Sequence, residues 1–162
     1  MQLPGELISL LADLGYTWPE ADEQKLLEMG HAWTAFGAAL GDPLSQAHTQ
    51  AQAVWTRNEG AAMEAFQQAW TRPDSPASNL DDAATAATMV GAGLMVCAGI
   101  VLALKVNVIV QLVTLAIEIA QAIATAAPSF GASLAEIPVF KQLTGMFLDQ
   151  LLNLAVDAVL GG

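Results

Sequence analysis

Any catalysis in this chain would have to be built from two histidines, one cysteine and sixteen carboxylates. Glu28 precedes His31 by three residues, which puts both on one helix face. A Glu-x-x-His pair is half of a di-metal carboxylate site and needs a second copy on another helix. The chain has no second copy, and His48 has no metal-ligand neighbour at helical spacing. Cys97 stands inside an apolar run and reads as a small core residue. No Gly-x-Ser-x-Gly elbow occurs, and Gly91-Ala92-Gly93 lacks the third glycine and the preceding strand of a phosphate-binding loop. The acid pairs Asp22–Glu23 and Asp81–Asp82 suit the first turns of helices, where carboxylates complement the dipole. These residues predict no catalytic group, no metal, no cofactor and no enzyme.

The elements that carry them read as helices. Leu3, Leu7, Leu10, Leu11 and Leu14 recur on one face after Pro4, and Gly15 ends the pattern. A second helix is expected to start with Pro19 at its first position and Glu20, Asp22 and Glu23 in its first turn. Its predicted core face is Leu26, Met29, Trp33, Phe36 and Leu40, and Gly41-Asp42-Pro43 reads as a turn. A third helix is expected over 44–71, bent or broken at 58–60. The segment 72–79 has the prolines and serines of a loop, with Asn79, Asp81 and Asp82 as candidate caps for the helix that follows. That helix is expected from about Leu80 to Ala126, roughly 70 Å at helical rise, with possible kinks at Gly91, Gly93 and Gly99. Residues 127–132 stop it, and a last helix spans about 133–160, delayed or bent at Pro138.

The expected fold is therefore all-α. It is an elongated antiparallel bundle with a helical hairpin, one very long central apolar helix and a C-terminal helix. Residues 1–162 form one domain, made of an acidic part (1–71), a loop (72–79) and an apolar helical hairpin (80–162).

Charge divides the same way. The net charge is −11, and residues 1–82 hold twelve acids against three bases. That excludes nucleic acid as a partner, because nothing neutralises phosphates, and anionic lipid would repel the first half. The N-terminus lacks the basic region and cleavage site of a Sec leader.

The run 89–125 carries only two charges, Lys105 and Glu118. It is long enough to span a bilayer. Yet Asn107, Gln111, Thr114, Glu118, Gln121 and Thr125 step by four, three, four, three and four, which draws one polar stripe along it. A soluble bundle helix explains such a stripe better than a membrane span does, unless the stripe lines a lumen. The stripe is expected to face water or a partner helix, and Lys105 to snorkel its charge to a surface. The half Met89–Gly99 has small residues that permit close helix approach.

"VWTRNEGAAMEAFQQAW" resembles the signature of WXG-type helical hairpins handled by type VII secretion. Closer still, the chain resembles the WXG-like N-terminal domains of actinobacterial polymorphic toxins, including the CpnT-like outer membrane channel/toxin group. Gly60, Phe66 and Trp70 keep the family's spacing downstream of its Trp-x-Gly turn, while Trp55 stands three residues farther from Gly60 than that turn has it. "LPGELISLLADLGYTWPEADEQKLLEMGHAW" resembles the family's opening and "PSFGASLAEIP" its second turn. The resemblance implies a non-enzymatic export-targeting or assembly module of a toxin or secretion substrate. Its partners would be proteins: a second copy, a small WXG-type helical protein or the secretion machinery. It would be cytoplasmic before export, then secreted or cell-surface without a cleaved leader. A membrane-active or pore-forming hairpin over 83–160 is the alternative. The resemblance also implies a Tyr-x-x-x-Asp/Glu export signal, whose letters Tyr16 and Glu20 fit ahead of the first long helix. Tyr16 and Trp18 otherwise staple the incoming chain to that helix.

Overall fold

A computed structural model describes residues 2–161, and every regular element among them is helical. In order these are α1 (Gly5–Asp13), α2 (Glu23–Arg57), α3 (Ala61–Thr71), α4 (Pro76–Ala124), a 3₁₀ turn (Ala132–Glu136) and α5 (Ile137–Leu160). The fold is all-α, as expected. The residues gather into two compact units, one of 1–23 with 97–162 and one of 24–96.

In the first unit, α1 closes over α4 and α5. Leu3 and Leu11 are buried with Val108 and Leu112 of α4 and Leu148 of α5, and Leu7, Leu10 and Leu14 pack around them. The leucine face of α1 is therefore the core face its spacing predicts. Pro138 falls in the first turn of α5, where its missing N–H costs nothing.

In the second unit, α2 and α4 run antiparallel at very short range. A Cβ on Gly30 would lie 2.8 Å from the Gly91 carbonyl oxygen, and one on Gly37 would lie 2.7 Å from that of Ala84. Gly91 thus does not kink α4. It lets two backbones meet, and Gly93 and Gly99 leave the helix unbroken.

Several boundaries differ from the sequence reading. α2 runs through Pro43 instead of turning there. Its buried residues Gly30, Gly37, Leu44 and Ala51 recur every seventh position, so packing continues on both sides of the proline and outweighs one lost backbone hydrogen bond. The predicted face is displaced accordingly. Met29, Trp33 and Phe36 are exposed, and Leu26 and Leu40 are half-buried. Pro19 and Glu20 lie outside the helix, which starts at Glu23. The segment 72–79 is already helical from Pro76. There the buried Ser75 supplies the cap, its Oγ accepting the Ser78 N–H at 3.1 Å. α4 also ends at Ala124, two residues early.

The break between α2 and α3 is where the sequence placed it. Gly60 has φ +116° with nothing within 4 Å of a Cβ built there. Gly60→Ala should therefore destabilise by about 1–3 kcal/mol through backbone strain alone, read as a lower midpoint in urea with an unchanged m value.

Candidate functional site

The four motif residues lie together at the α2–α3 corner. The Trp55 and Phe66 rings are 5.7 Å apart, and Phe66 and Trp70 are 5.9 Å apart. All three rings are half-buried, and Gly60 makes the turn. After Trp55, α2 continues only through Thr56 and Arg57, and Asn58 and Glu59 lead non-helically into the Gly60 turn, and the Trp55 ring still reaches Phe66.

The row of rings continues into a polar contact that the sequence did not reveal. Trp70 Nε1 donates to His48 Nδ1 at 3.0 Å, and the two rings meet edge to face at 5.8 Å. His48 Nε2 lies 3.0 Å from Asp81 Oδ2. With Nδ1 accepting, the neutral imidazole carries its proton on Nε2 and donates it to Asp81. This contact ties α3 to α2 and α2 to α4. His48 and Asp81 are 33 positions apart, and no local spacing signals their meeting.

The second cluster surrounds Lys105, which does not snorkel. It is 3% exposed. Its Nζ donates to Glu23 Oε2 and to the Ala21 carbonyl, both at 2.6 Å, and lies 5.8 Å from the centre of the Trp18 ring. A buried ammonium needs such partners because its hydration is lost. The contact ties Ala21 and Glu23 to α4, and residues 19–22 stay outside any helix. The Lys105 hydrogen bond holds the Glu23 carboxyl well below its ordinary value, at about 2.

Of the two candidate export-signal residues, Glu20 is exposed and Tyr16 is tied down. Its hydroxyl is shared between Asp149 Oδ1 at 2.7 Å and the Gly145 carbonyl at 2.9 Å. Tyr16 and Trp18 thus staple the entering chain to α5 and α4. The hydrogen bond to Asp149 raises the phenol above its ordinary 10.0. Tyr16 is the sole tyrosine, so an ultraviolet titration reads it alone. The phenol should ionise above pH 10 in the folded chain, and Asp149→Asn should bring it back down. This contact stabilises the fold in full below pH 10 and is lost as pH rises through the higher folded value.

The polar stripe of α4 is solvated in part. Asn107, Thr114, Gln121 and Thr125 are exposed, and Gln111 and Glu118 are half-buried. Asn107, Thr114 and Thr125 donate to carbonyls four residues back on their own helix, which leaves much of their polarity satisfied locally. Cys97 is half-buried with a free thiol. Among the described residues no group of three His, Cys, Asp or Glu side chains could hold a metal ion.

A helical hairpin cornered by Trp55, Gly60, Phe66 and Trp70 is the geometry to compare with known families. The model of the WXG100-like domain matches residues 2–145. The chain belongs to the WXG100-like domain family. Comparison with curated proteins and with solved structures returned no match. In this WXG100-like domain the matched span takes in α1 to α4 and the first turns of α5.

Proposed function

We propose that this WXG100-like domain is a non-enzymatic export-targeting and assembly module, recognised through its helix faces by protein partners. The family match over residues 2–145 carries the reading. The finer form of the proposal is the N-terminal module of a polymorphic toxin or other type VII secretion substrate, cytoplasmic before export and secreted or cell-surface after it. The aromatic corner of Trp55, Phe66 and Trp70 and the exposed Met29, Trp33 and Phe36 on α2 are of the kind that anchors protein interfaces. The Tyr16–Glu20 signal receives less support, since Tyr16 is engaged with α5.

The test is export of a fused reporter from a host with the secretion system. Deleting residues 1–80 should abolish export, and Trp55→Ala with Phe66→Ala should reduce it while the protein still accumulates inside. Undiminished export of the deletion variant overturns the proposal.

One observation favours a second reading, a membrane-active hairpin. α4 and α5 are long and apolar enough to cross a membrane, and little of either apolar window is buried. Release of dye from vesicles by the purified chain would support it.

A further inference from the structure

α3 is held to its neighbours by little. It has eleven residues and none of them is buried, and a helix of that length is marginal without tertiary support. Trp70, in its last turn, supplies much of that support. Its ring meets Phe66 and the His48 ring, and its Nε1–H donates to His48 Nδ1 at 3.0 Å. Packing alone does not fix the indole. A cavity of about 200 Å³ opens against Trp70 and His48, with Leu44, Ala47, Ala77 and Leu80 on its other sides, so the ring has room to turn.

We propose that His48 is a proton-operated latch on α3. Unprotonated, it holds α3 to α2 through Trp70. Protonated, it gives up Trp70 and binds Asp81 of α4 more tightly. A neutral imidazole has one acceptor nitrogen and one donor, and here both are used. The imidazolium has two donors and no acceptor. Its Nδ1–H would point at the Trp70 Nε1–H, a contact of two donors. The opposite edge of the ring gains instead. Nε2 lies 3.0 Å from Asp81 Oδ2, and a full positive charge strengthens that hydrogen bond. One proton therefore moves the tie from α3 to α4. Histidine is the side chain whose ordinary charge change falls between about pH 5 and 8.

The surroundings leave Asp81 as the charge that matters. Apart from His48, residues 44–56 of α2 and 65–71 of α3 carry no ionisable side chain. Between α3 and α4, Arg72 and Asp74 are closed on each other at 2.8 Å. On α4, Asp82 adjoins Asp81 and adds negative charge, which also favours the imidazolium. With Trp70 released, α3 keeps the contact of Phe66 with Trp55, so its far end opens first. His48, Trp70 and Asp81 all belong to the unit of residues 24–96. The latch goes beyond the export reading, and neither depends on the other.

The full chain, isotopically labelled at nitrogen, provides the test. Its four tryptophans give four indole N–H resonances, and the one missing from Trp70→Phe is that of Trp70. Between about pH 8 and pH 5 that resonance should move from the position of an indole bonded to an imidazole nitrogen toward that of an indole bonded to water. Over the same interval amide hydrogen exchange in residues 61–71, corrected for its chemical rate, should rise about tenfold or more. His48→Gln should abolish both changes, because its amide does not titrate, and His31→Gln should leave both. Asp81→Asn should move the transition to lower pH, since it removes the anion that holds the imidazolium. A Trp70 resonance that stays fixed overturns the latch, and so does a shift that persists in His48→Gln. A shift without faster exchange over 61–71 means that Trp70 changes its partner while α3 stays in place, and overturns it too. Should His48→Gln fail to fold, Asp81→Asn decides: a transition at the wild-type pH overturns the latch.

Discussion

Gly91→Leu should force α2 away from α4 and lower the stability of the protein. A Cβ at Gly91 would meet the Thr34 hydroxyl, and it would stand 2.7 Å from the Gly30 carbonyl oxygen and 2.9 Å from the Thr34 amide nitrogen. Two of those three atoms are backbone and cannot rotate aside. Relief requires the helices to move apart along the Gly30–Gly37 contact, which uncovers Leu44 and Ala51 in turn. Overpacking of a close contact typically costs about 1–3 kcal/mol. For a chain of this size that lowers the melting temperature by roughly 3–10 °C, and the four-carbon side chain places leucine at the upper end. Gly93→Ala is the control. Nothing lies within 4 Å of a Cβ there, so the usual helix preference for alanine should show as a gain of about 1 kcal/mol. Thermal melts of the two variants should move in opposite directions. Equal losses would mean that Gly91 serves the helix through flexibility and not through close approach.

The same contact explains why the core of α2 was hard to read. Apolar spacing along α2 predicts burial of its largest apolar residues, Leu26, Met29, Trp33, Phe36 and Leu40. The helix buries Gly30 and Gly37 instead, because two backbones that nearly touch leave no room for side chains. Glycine carries almost no hydrophobic signal, so a seam of small residues is invisible to a search for apolar periodicity. On α1, where Leu3 and Leu11 fill the contact, the same search succeeds. The small residues around Gly91 were legible as a close-approach segment, but their partner on α2 was not. The motif corner was legible through spacing to Gly60, Phe66 and Trp70. Its extension to His48 and Asp81 was not, since hydrogen bonds between helices leave no local pattern. Pro43 misled for a related reason: a proline signals a turn only when no packing on both sides holds the helix together.

Lys105 makes the sharpest case, because its partner lies 82 positions away. Replacing either member of the pair should have unequal effects. Glu23→Gln leaves the ammonium in place, 3% exposed, with a neutral amide where its counter-ion was. Stripping a buried charge of its partner is among the costlier single changes, and a fall in melting temperature of roughly 10 °C is expected. Lys105→Met removes the charge itself. The methionine fills a similar volume among Trp18 and the neighbouring apolar residues, and buried ion pairs replaced by apolar groups are often neutral or better. Glu23, left without the lysine, keeps partial contact with water. Lys105→Met should therefore change stability little, and the double variant should recover most of what Glu23→Gln loses. Acid titration adds a second reading. The Glu23 carboxyl is held at about 2 against an ordinary 4.5. Its pairing stabilises the fold in full above pH 4.5, and that contribution drains away as pH falls toward 2. Glu23→Gln should flatten stability across that interval. If Lys105→Met proved as damaging as Glu23→Gln, the lysine would be a source of stability in itself, and the demand of a buried charge for its counter-ion would not be what ties Ala21 and Glu23 to α4.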